Sequence, residues 1–143
     1  MNDWEKMNLL ITDEIMENDK DDIFKGLLEF NLARIENKNP KDLGIYLEDE
    51  TGIKIAGLIG NTHGNWLKVE YLWVSKVLRG QHIGSKILKK AEEIAKERGC
   101  KYVFLDTFSF QAPEFYKKYG YQEVFTLEEY PVSGKRHYFT KIL

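Results

Sequence analysis

The sequence predicts a mixed α/β fold in which a central sheet of about six to seven strands is flanked by helices. Two observations predict it: a strongly periodic helix joins two apolar strands, and hairpin turns join the strands before and after that unit. A strand–helix–strand crossover makes its two strands parallel, whereas hairpins make antiparallel pairs. We expect one domain over residues 1–143, with the element order β-α-β-β-β-α-β-α-β-β.

The first half of the chain is predicted to contain an initial strand, one helix, a hairpin and a long strand. Residues 9–11 are apolar and indicate the short strand. Asn18 can cap a helix whose apolar stripe runs as far as Ile35 and which residues 37–40 end. The turn at residues 49–52 joins two alternating segments as an antiparallel hairpin. A long strand follows from Trp66 to Val74. Strict alternation would separate its side chains into two faces, Lys68, Glu70, Leu72 and Val74 against Leu67, Val69, Tyr71 and Trp73.

The second half contains the most regular helix of the chain. Gly99 is placed to end that helix in a left-handed cap, and residues 102–105 form a continuous apolar run typical of a buried strand. A short helix is predicted from Pro113 to Tyr119, followed by strands near residues 121–127 and 135–142. The apolar residues of the regular helix fall on one stripe, namely Ile83, Ile87, Leu88, Ala91, Ile94 and Ala95.

Composition excludes several classes of function. The formal net charge is −2, and the lysines and arginines form no cluster, so we expect no nucleic-acid partner. Cys100 is the only cysteine, which suits a reducing cytoplasm and a packing role in the core. The N-terminus lacks the pattern of a signal peptide, and no apolar stretch approaches the ~20 residues of a membrane helix. His63, His82 and His137 lack metal-ligand spacing, so no metal site is expected.

Residues 79–86 connect an apolar strand to the regular helix through a basic turn that contains two glycines. Such a turn leaves backbone N–H groups free at a helix start, where the helix dipole favours an anion, and Arg79 adds a positive charge. A nucleotide-triphosphatase loop is excluded, because Gly80 and Gly84 are one residue too close and Ser85 precedes Lys86. A dinucleotide-binding fingerprint needs three glycines after the first strand, which this turn does not offer. A ligand-free connection stays open.

Three segments of the chain resemble the GNAT superfamily of N-acetyltransferases. Residues 79–84, read as Arg-Gly-Gln-His-Ile-Gly, look like its acyl-CoA pyrophosphate loop, [Gln/Arg]-x-x-Gly-x-[Gly/Ala]. Residues 70–74 resemble its fourth strand, and residues 112–121 match its Ala-x-x-x-Tyr-x-x-x-Gly-[Phe/Tyr] segment. His82 replaces a glycine of the loop, so we expect histidine to adopt positive φ there. Ser109 stands where many members have asparagine.

The resemblance implies acetyl-CoA as co-substrate, with its pantetheine arm in a gap where the strands on either side of the regular helix diverge. Glu70 is the implied general base, acting directly or through water, and Tyr116 is the implied general acid for the departing thiol. An exposed Glu70 paired with Lys68, and a Tyr116 that only packs, are the alternatives. The implied cofactor-binding residues are Leu72, Trp73, Val74, Arg79, Gly80, Gln81, His82, Ile83, Gly84, Ser85, Ser109, Ala112 and Tyr116.

The function implied is a cytoplasmic N-acetyltransferase that acetylates a primary amine by direct attack in a ternary complex. The expected acceptor is a small molecule such as a polyamine, an aminoglycoside-type antibiotic or an amino acid, because the chain has no extra module for gripping a polypeptide. The resemblance also implies a homodimer and places residues 128–130 where the family often shapes its acceptor pocket; a solvated loop is the alternative for these residues. The alternative is a catalytically idle acyl-CoA-binding module that regulates a partner.

Overall fold

The computed structural model of the protein describes residues 3–32, 34, 36 and 39–143, which fall into two compact units, Met1–Glu36 and Asn37–Leu143. The first unit contains a 3₁₀ turn, Asp3–Lys6, and helix α1, Glu17–Leu32. The predicted helix is confirmed; Ile35, predicted on its apolar stripe, and residues 37 and 38 of its predicted end lie outside the described residues. The predicted strand at residues 9–11 is wrong, because these exposed residues have no strand to pair with.

Residues 39–143 are all described, and six strands in this range form one mixed sheet in the order β1-β2-β3-β4-β6-β5. The pairs are antiparallel except for β3 with β4, which are parallel as the crossover predicts. The strands are β1 Lys41–Glu48, β2 Lys54–His63, β3 Trp66–Val74, β4 Tyr102–Phe108, β5 Gln122–Leu127 and β6 Arg136–Ile142. The helices of this unit are α2, Ile83–Glu97, and α3, Pro113–Lys118.

Helix α2 covers one face of the sheet and supplies much of the core. Its predicted stripe is confirmed, with Ile87, Leu88, Ala91 and Ala95 buried and Ile83 and Ile94 packed beside them. Cys100 is buried where α2 gives way to β4, and burial raises the pKa of its thiol, as suits a packing residue. No described helix is long and apolar enough to cross a membrane.

A β-bulge at Glu70 corrects the predicted faces of β3. Ile59 of β2 pairs with Tyr71, but its neighbour Gly60 pairs with Val69, so Glu70 is an extra residue on β3. Before the bulge, odd-numbered residues face the core; after it, Leu72 packs on the core with Val74, and Tyr71 and Trp73 are exposed. The prediction that Leu67, Val69, Tyr71 and Trp73 share a face is therefore wrong, because the extra residue reverses the alternation.

The parallel strands β3 and β4 are paired over only a short stretch. Their register runs from Trp66 opposite Tyr102 to Lys68 opposite Phe104. Beyond this point β4 continues to pair with β6 and β3 with β2, so the two neighbours diverge. The divergence opens the middle of the sheet directly beside the start of α2.

Candidate active site

The turn between β3 and α2 forms the basic corner, residues 79–85. Gly80 and His82 have φ of 84° and 60°, so the expected positive φ at His82 is confirmed. The His82 carbonyl accepts hydrogen bonds from the Ser85 hydroxyl at 2.9 Å and from the Lys86 N–H at 3.1 Å. The N–H groups of residues 83–85 precede that first helical bond, so they have no acceptor within the helix and favour an anion.

The basic corner borders a cavity of about 290 Å³. Arg79 lies at its edge and donates from Nε to the Val74 carbonyl at 3.4 Å. Lys118, at the end of α3, lines the same cavity as a second cation, which sequence reasoning missed. A Cβ on Gly84 would meet Val74 Cγ2 at 3.5 Å and Phe115 Cζ at 3.6 Å, so β3, α2 and α3 meet closely here. Two cations and a row of helix N–H groups fit a diphosphate.

A second cavity, the cleft, has a volume of about 820 Å³ and lies between the divergent ends of β3 and β4. The cleft and the cavity beside the basic corner are continuous, because they share four lining residues: Val74, Arg79, Gly84 and Phe115. The predicted site residues that line the cleft are Glu70, Leu72, Trp73, Val74, Arg79, Gly84, Ala112 and Tyr116.

Other predicted residues lie outside the cleft. Four of them line the cavity beside the basic corner, namely Gly80, His82, Ile83 and Ser85. Gln81 and Ser109, both described, line neither cavity. The structure thus brings most of the predicted site into one continuous groove and leaves these two beside it.

Tyr116 lies on α3, with its ring packed among aromatic neighbours. The ring centroids of Phe115, Tyr121 and Phe139 are 5.1, 5.8 and 5.9 Å away. Burial raises the pKa of Tyr116 to about 12, with a smaller contribution from the negative charge of Asp106. The phenol is therefore a proton donor at neutral pH and not an acceptor.

Glu70 occupies the bulge of β3 on the rim of the cleft. Its Oε1 accepts a hydrogen bond from Asn61 Nδ2 at 3.0 Å. Lys68, the partner considered from the sequence, instead has its Nζ 6.0 Å from the ring centroid of Phe104. A neutral amide therefore orients the Glu70 carboxylate and leaves its charge unpaired by that contact.

Ser109, at the end of β4, begins a chain of three polar side chains. Its Oγ is 2.9 Å from His137 Nε2, and His137 Nδ1 is 2.6 Å from Glu123 Oε1. Hydrogen bonds from Thr126 and His137 lower the pKa of Glu123 to about 2, and Lys117 adds to this. An ionised Glu123 accepts a hydrogen bond from a protonated Nδ1 of His137, and the Ser109 hydroxyl faces Nε2 on the other side of the ring.

This chain was not foreseen, because the sequence separates its members by many residues. His137 was considered only as a metal ligand, and Glu123 carries no local motif. Ser109, His137 and Glu123 meet because β6 pairs with β4 on one side and with β5 on the other. Predicting this chain from the sequence would require knowing how β4, β5 and β6 are aligned with one another.

Asp106 and Arg136 form a second polar pair that the sequence did not indicate. Arg136 Nε donates to Asp106 Oδ2 at 2.6 Å, and this hydrogen bond raises the pKa of the guanidinium. Both residues line the cleft. The cleft therefore contains two carboxylates, those of Glu70 and Asp106, of which one already has a cationic partner.

Comparison with known proteins gives a consistent result. The sequence matches the model of the acetyltransferase (GNAT) family over residues 9–121, a segment that includes the basic corner, Glu70 and Tyr116. An acetyltransferase from Agrobacterium fabrum is 34% identical over 121 residues, which cover 85% of this chain and 88% of the relative. Blasticidin-S acetyltransferase from Streptomyces morookaense is 36% identical over 99 residues, covering 68% and 73%.

Solved structures show the same fold. An acetyltransferase from Agrobacterium tumefaciens superposes with a TM-score of 0.90 at 31% identity, covering 96% of this chain and 100% of that one. A Bacillus anthracis acetyltransferase solved in complex with acetyl coenzyme A superposes with a TM-score of 0.64 at 18% identity, covering 73% and 64%. The divergent strands and the turn before α2 thus belong to a fold for which a cofactor complex has been solved.

Proposed function

The chain belongs to the acetyltransferase (GNAT) family, and on that premise we propose that it acetylates the primary amine of a small molecule by direct attack in a ternary complex. It is an N-acetyltransferase that uses acetyl-CoA. The observation that carries the proposal is the continuous groove, in which the basic corner opens into a cleft containing a carboxylate and a protonated phenol.

The basic corner would hold the diphosphate of acetyl-CoA. Arg79 and Lys118 supply positive charge, and the N–H groups of residues 83–85 supply hydrogen bonds along the α2 dipole. The left-handed backbone at Gly80 and His82 turns the chain sharply enough to present these groups on one side. Gln81 and Ser109 are proposed as peripheral contacts.

The free edge of β3 would align the pantetheine arm. Residues 72–74 lie beyond the last β3–β4 pair, so their backbone can pair with an extended chain laid in the cleft. A β3 N–H group directed at the thioester oxygen would stabilise the charge that develops there, an effect typically worth ~10²–10³ in rate. Ala112 lies at the opposite wall.

Acetyl-CoA supplies an activated acyl group on a thiol leaving group. The ammonium first releases one proton to solvent, which frees the nitrogen lone pair. As the nitrogen forms the new C–N bond, Glu70 takes its second proton, directly or through water, and later returns it to solvent. As the C–S bond breaks, Tyr116 donates its phenolic proton to the sulfur and recovers one from solvent. The products are an amide and a free thiol, and protons and electrons balance.

The acceptor class is supported by one carboxylate of the cleft and by one relative. Glu70 is hydrogen-bonded to the neutral Asn61 amide and favours a cationic amine beside it, whereas Asp106 is already paired with Arg136. Blasticidin-S acetyltransferase, at 36% identity over 68% of this chain, makes an antibiotic amine a concrete candidate. We extend the proposal to one catalytic domain over residues 1–143, a homodimer and a cytoplasmic location.

The test is thiol release from acetyl-CoA across a panel containing polyamines, aminoglycosides, amino acids and blasticidin S, with acetylated product detected by mass. We expect amine-dependent release that falls by ~10²–10⁴ in Glu70→Gln. A matched control is Glu97→Gln, at the far end of α2, which should keep the wild-type rate. Tight coenzyme A binding without amine-dependent release would instead support the idle regulatory module.

A further inference from the structure

Three aromatic rings form a stack beside the cleft. Phe108 stacks with both Phe110 and Tyr130, at ring-centroid distances of 5.3 and 5.7 Å and interplanar angles of 8° and 22°. Phe110 is 83% exposed, so the outer face of this stack is open. An exposed ring at the end of a stack leaves one face available to a further flat group.

A cation and a hydrogen-bonded turn support the stack. The Arg136 guanidinium lies 5.7 Å from the Phe108 ring centroid and 5.5 Å from that of Tyr130, while Arg136 Nε is bonded to Asp106. The Gln111 side chain accepts from the Phe108 N–H at 2.7 Å, and the Gln111 N–H donates to the Phe108 carbonyl at 3.0 Å. The turn that carries Phe110 is therefore held by its own hydrogen bonds, which constrain the backbone of Phe110.

A second aromatic wall faces the same cleft from β3. The bulge at Glu70 turns Tyr71 and Trp73 away from the core, and they are 68% and 50% exposed. Phe108 and Phe110 line the cleft from the other side. Bulges commonly re-aim side chains beside active sites, which gives this exposed pair a function that core packing cannot.

Both walls lie on the face of the sheet opposite α2. Leu72 and Val74 pack on the core with α2, so Tyr71 and Trp73 are directed to the other face. On β4, Leu105 is buried in the core, so Asp106 takes the opposite face. The aromatic walls and the carboxylates thus meet on one side of the sheet, away from the basic corner at the start of α2.

We propose that the acceptor is a primary amine attached to a planar aromatic or heteroaromatic ring, and that Phe110 is the residue that selects this ring. This inference rests on the proposed function. The Glu70 carboxylate receives the ammonium group, and the ring stacks on the exposed Phe110. Polyamines can pair with Glu70 but have no flat ring to stack on Phe110.

The experiment compares 2-phenylethylamine with 2-cyclohexylethylamine, which have the same amine, the same linker and the same ring size. Aromatic stacking is worth ~0.5–1.5 kcal/mol beyond buried area, so we expect kcat/KM to favour the phenyl compound by about fivefold. Phe110→Leu keeps an apolar side chain without a ring and should bring this ratio to within about twofold of unity.

The control is Phe125→Leu, the same substitution at an exposed ring on β5 that does not line the cleft, and it should keep the wild-type ratio. A wild-type ratio near unity, or an unchanged ratio in Phe110→Leu, overturns the proposal. If no amine is acetylated, calorimetric titration of the two amines into protein saturated with coenzyme A decides. Ring-dependent binding lost in Phe110→Leu supports the ring site and rejects only the proposed function, whereas equal binding overturns both.

Discussion

Replacing Tyr116 with phenylalanine tests the proposed general acid with little disturbance to the fold. The substitution removes one oxygen and keeps the ring that packs against Phe115, Tyr121 and Phe139. Thermal stability should therefore change by no more than a few degrees. Any large effect on turnover then comes from the lost hydroxyl.

The size of the effect follows from the raised pKa of Tyr116, about 12. The departing thiol has a pKa near ~8.5, the value of an ordinary alkyl thiol, so the phenol is the weaker acid by about three units. It can donate only as the C–S bond breaks, which places the expected loss of kcat near the lower end of acid catalysis, ~10²-fold, or ~2.7 kcal/mol.

The pH dependence of kcat is a second, independent test of the role of Tyr116. A general acid must be protonated, and a raised pKa keeps Tyr116 protonated until the pH rises through about 12. Up to pH 10, the kcat of the wild type and the kcat of Tyr116→Phe should therefore depend on pH in the same way. The assay is steady-state thiol release at saturating acetyl-CoA from pH 6.5 to 10.

The matched control is Tyr121→Phe, a second buried tyrosine outside the cleft. Its hydroxyl donates to Glu92 Oε2 at 2.7 Å, and Lys141 donates to Glu92 Oε1 at 2.9 Å. Removing the Tyr121 donor should cost ~1–3 kcal/mol of unfolding free energy while kcat stays within about twofold. The reasoning is refuted if Tyr116→Phe lowers kcat by less than threefold, or if a basic limb below pH 10 disappears in that variant.

The basic corner, the Ser109 chain and the Glu123 carboxylate can each be tested by substitution. His82→Gly should leave the Kd for coenzyme A unchanged or lower it, because glycine adopts the φ of 60° without a Cβ; calorimetric weakening of tenfold would mean that the imidazole binds the phosphates. Ser109→Ala and His137→Ala should each raise KM for acetyl-CoA by about two- to tenfold, with a non-additive double variant and little change in kcat, whereas fully additive effects would disconnect the two residues. Because the pKa of Glu123 is lowered from 4.5 to about 2, its ionised carboxylate stabilises the fold above pH 4.5, and this contribution is lost as the pH falls toward 2. The difference in unfolding free energy between the wild type and Glu123→Gln, measured with urea, should therefore shrink over that range. A constant difference would contradict this prediction.

Local chemistry made part of the site predictable. The stripe of α2, the glycine-bearing turn before it and the histidine at positive φ depend on neighbours within a few residues, so a linear pattern contains them. The chain of Ser109, His137 and Glu123 depends on two strand registers, and no local pattern encodes it. Residues 9–11 show the converse, since an apolar run has strand propensity but forms a strand only when another strand lies beside it.

The bulge at Glu70 is the point where a readable signal was present. Gly60 lies in the middle of β2, and a Cβ there would clash with the Lys68 carbonyl oxygen and meet Val69 Cα at 3.5 Å. A glycine inside an apolar strand indicates a bulge or a close backbone approach. Strict alternation along β3 ignores this signal and therefore predicts the wrong faces for Tyr71 and Trp73.

This one extra residue connects the fold to the proposed chemistry. Without it, an alternating β3 that buries Val69 would also direct Tyr71 and Trp73 toward α2, and Leu72 and Val74 would face the open side. With it, the apolar pair returns to the core, and the aromatic pair lines the cleft on the side of Asp106. The same residue carries the proposed base, so the position of Glu70 and the aromatic character of the cleft have one structural cause.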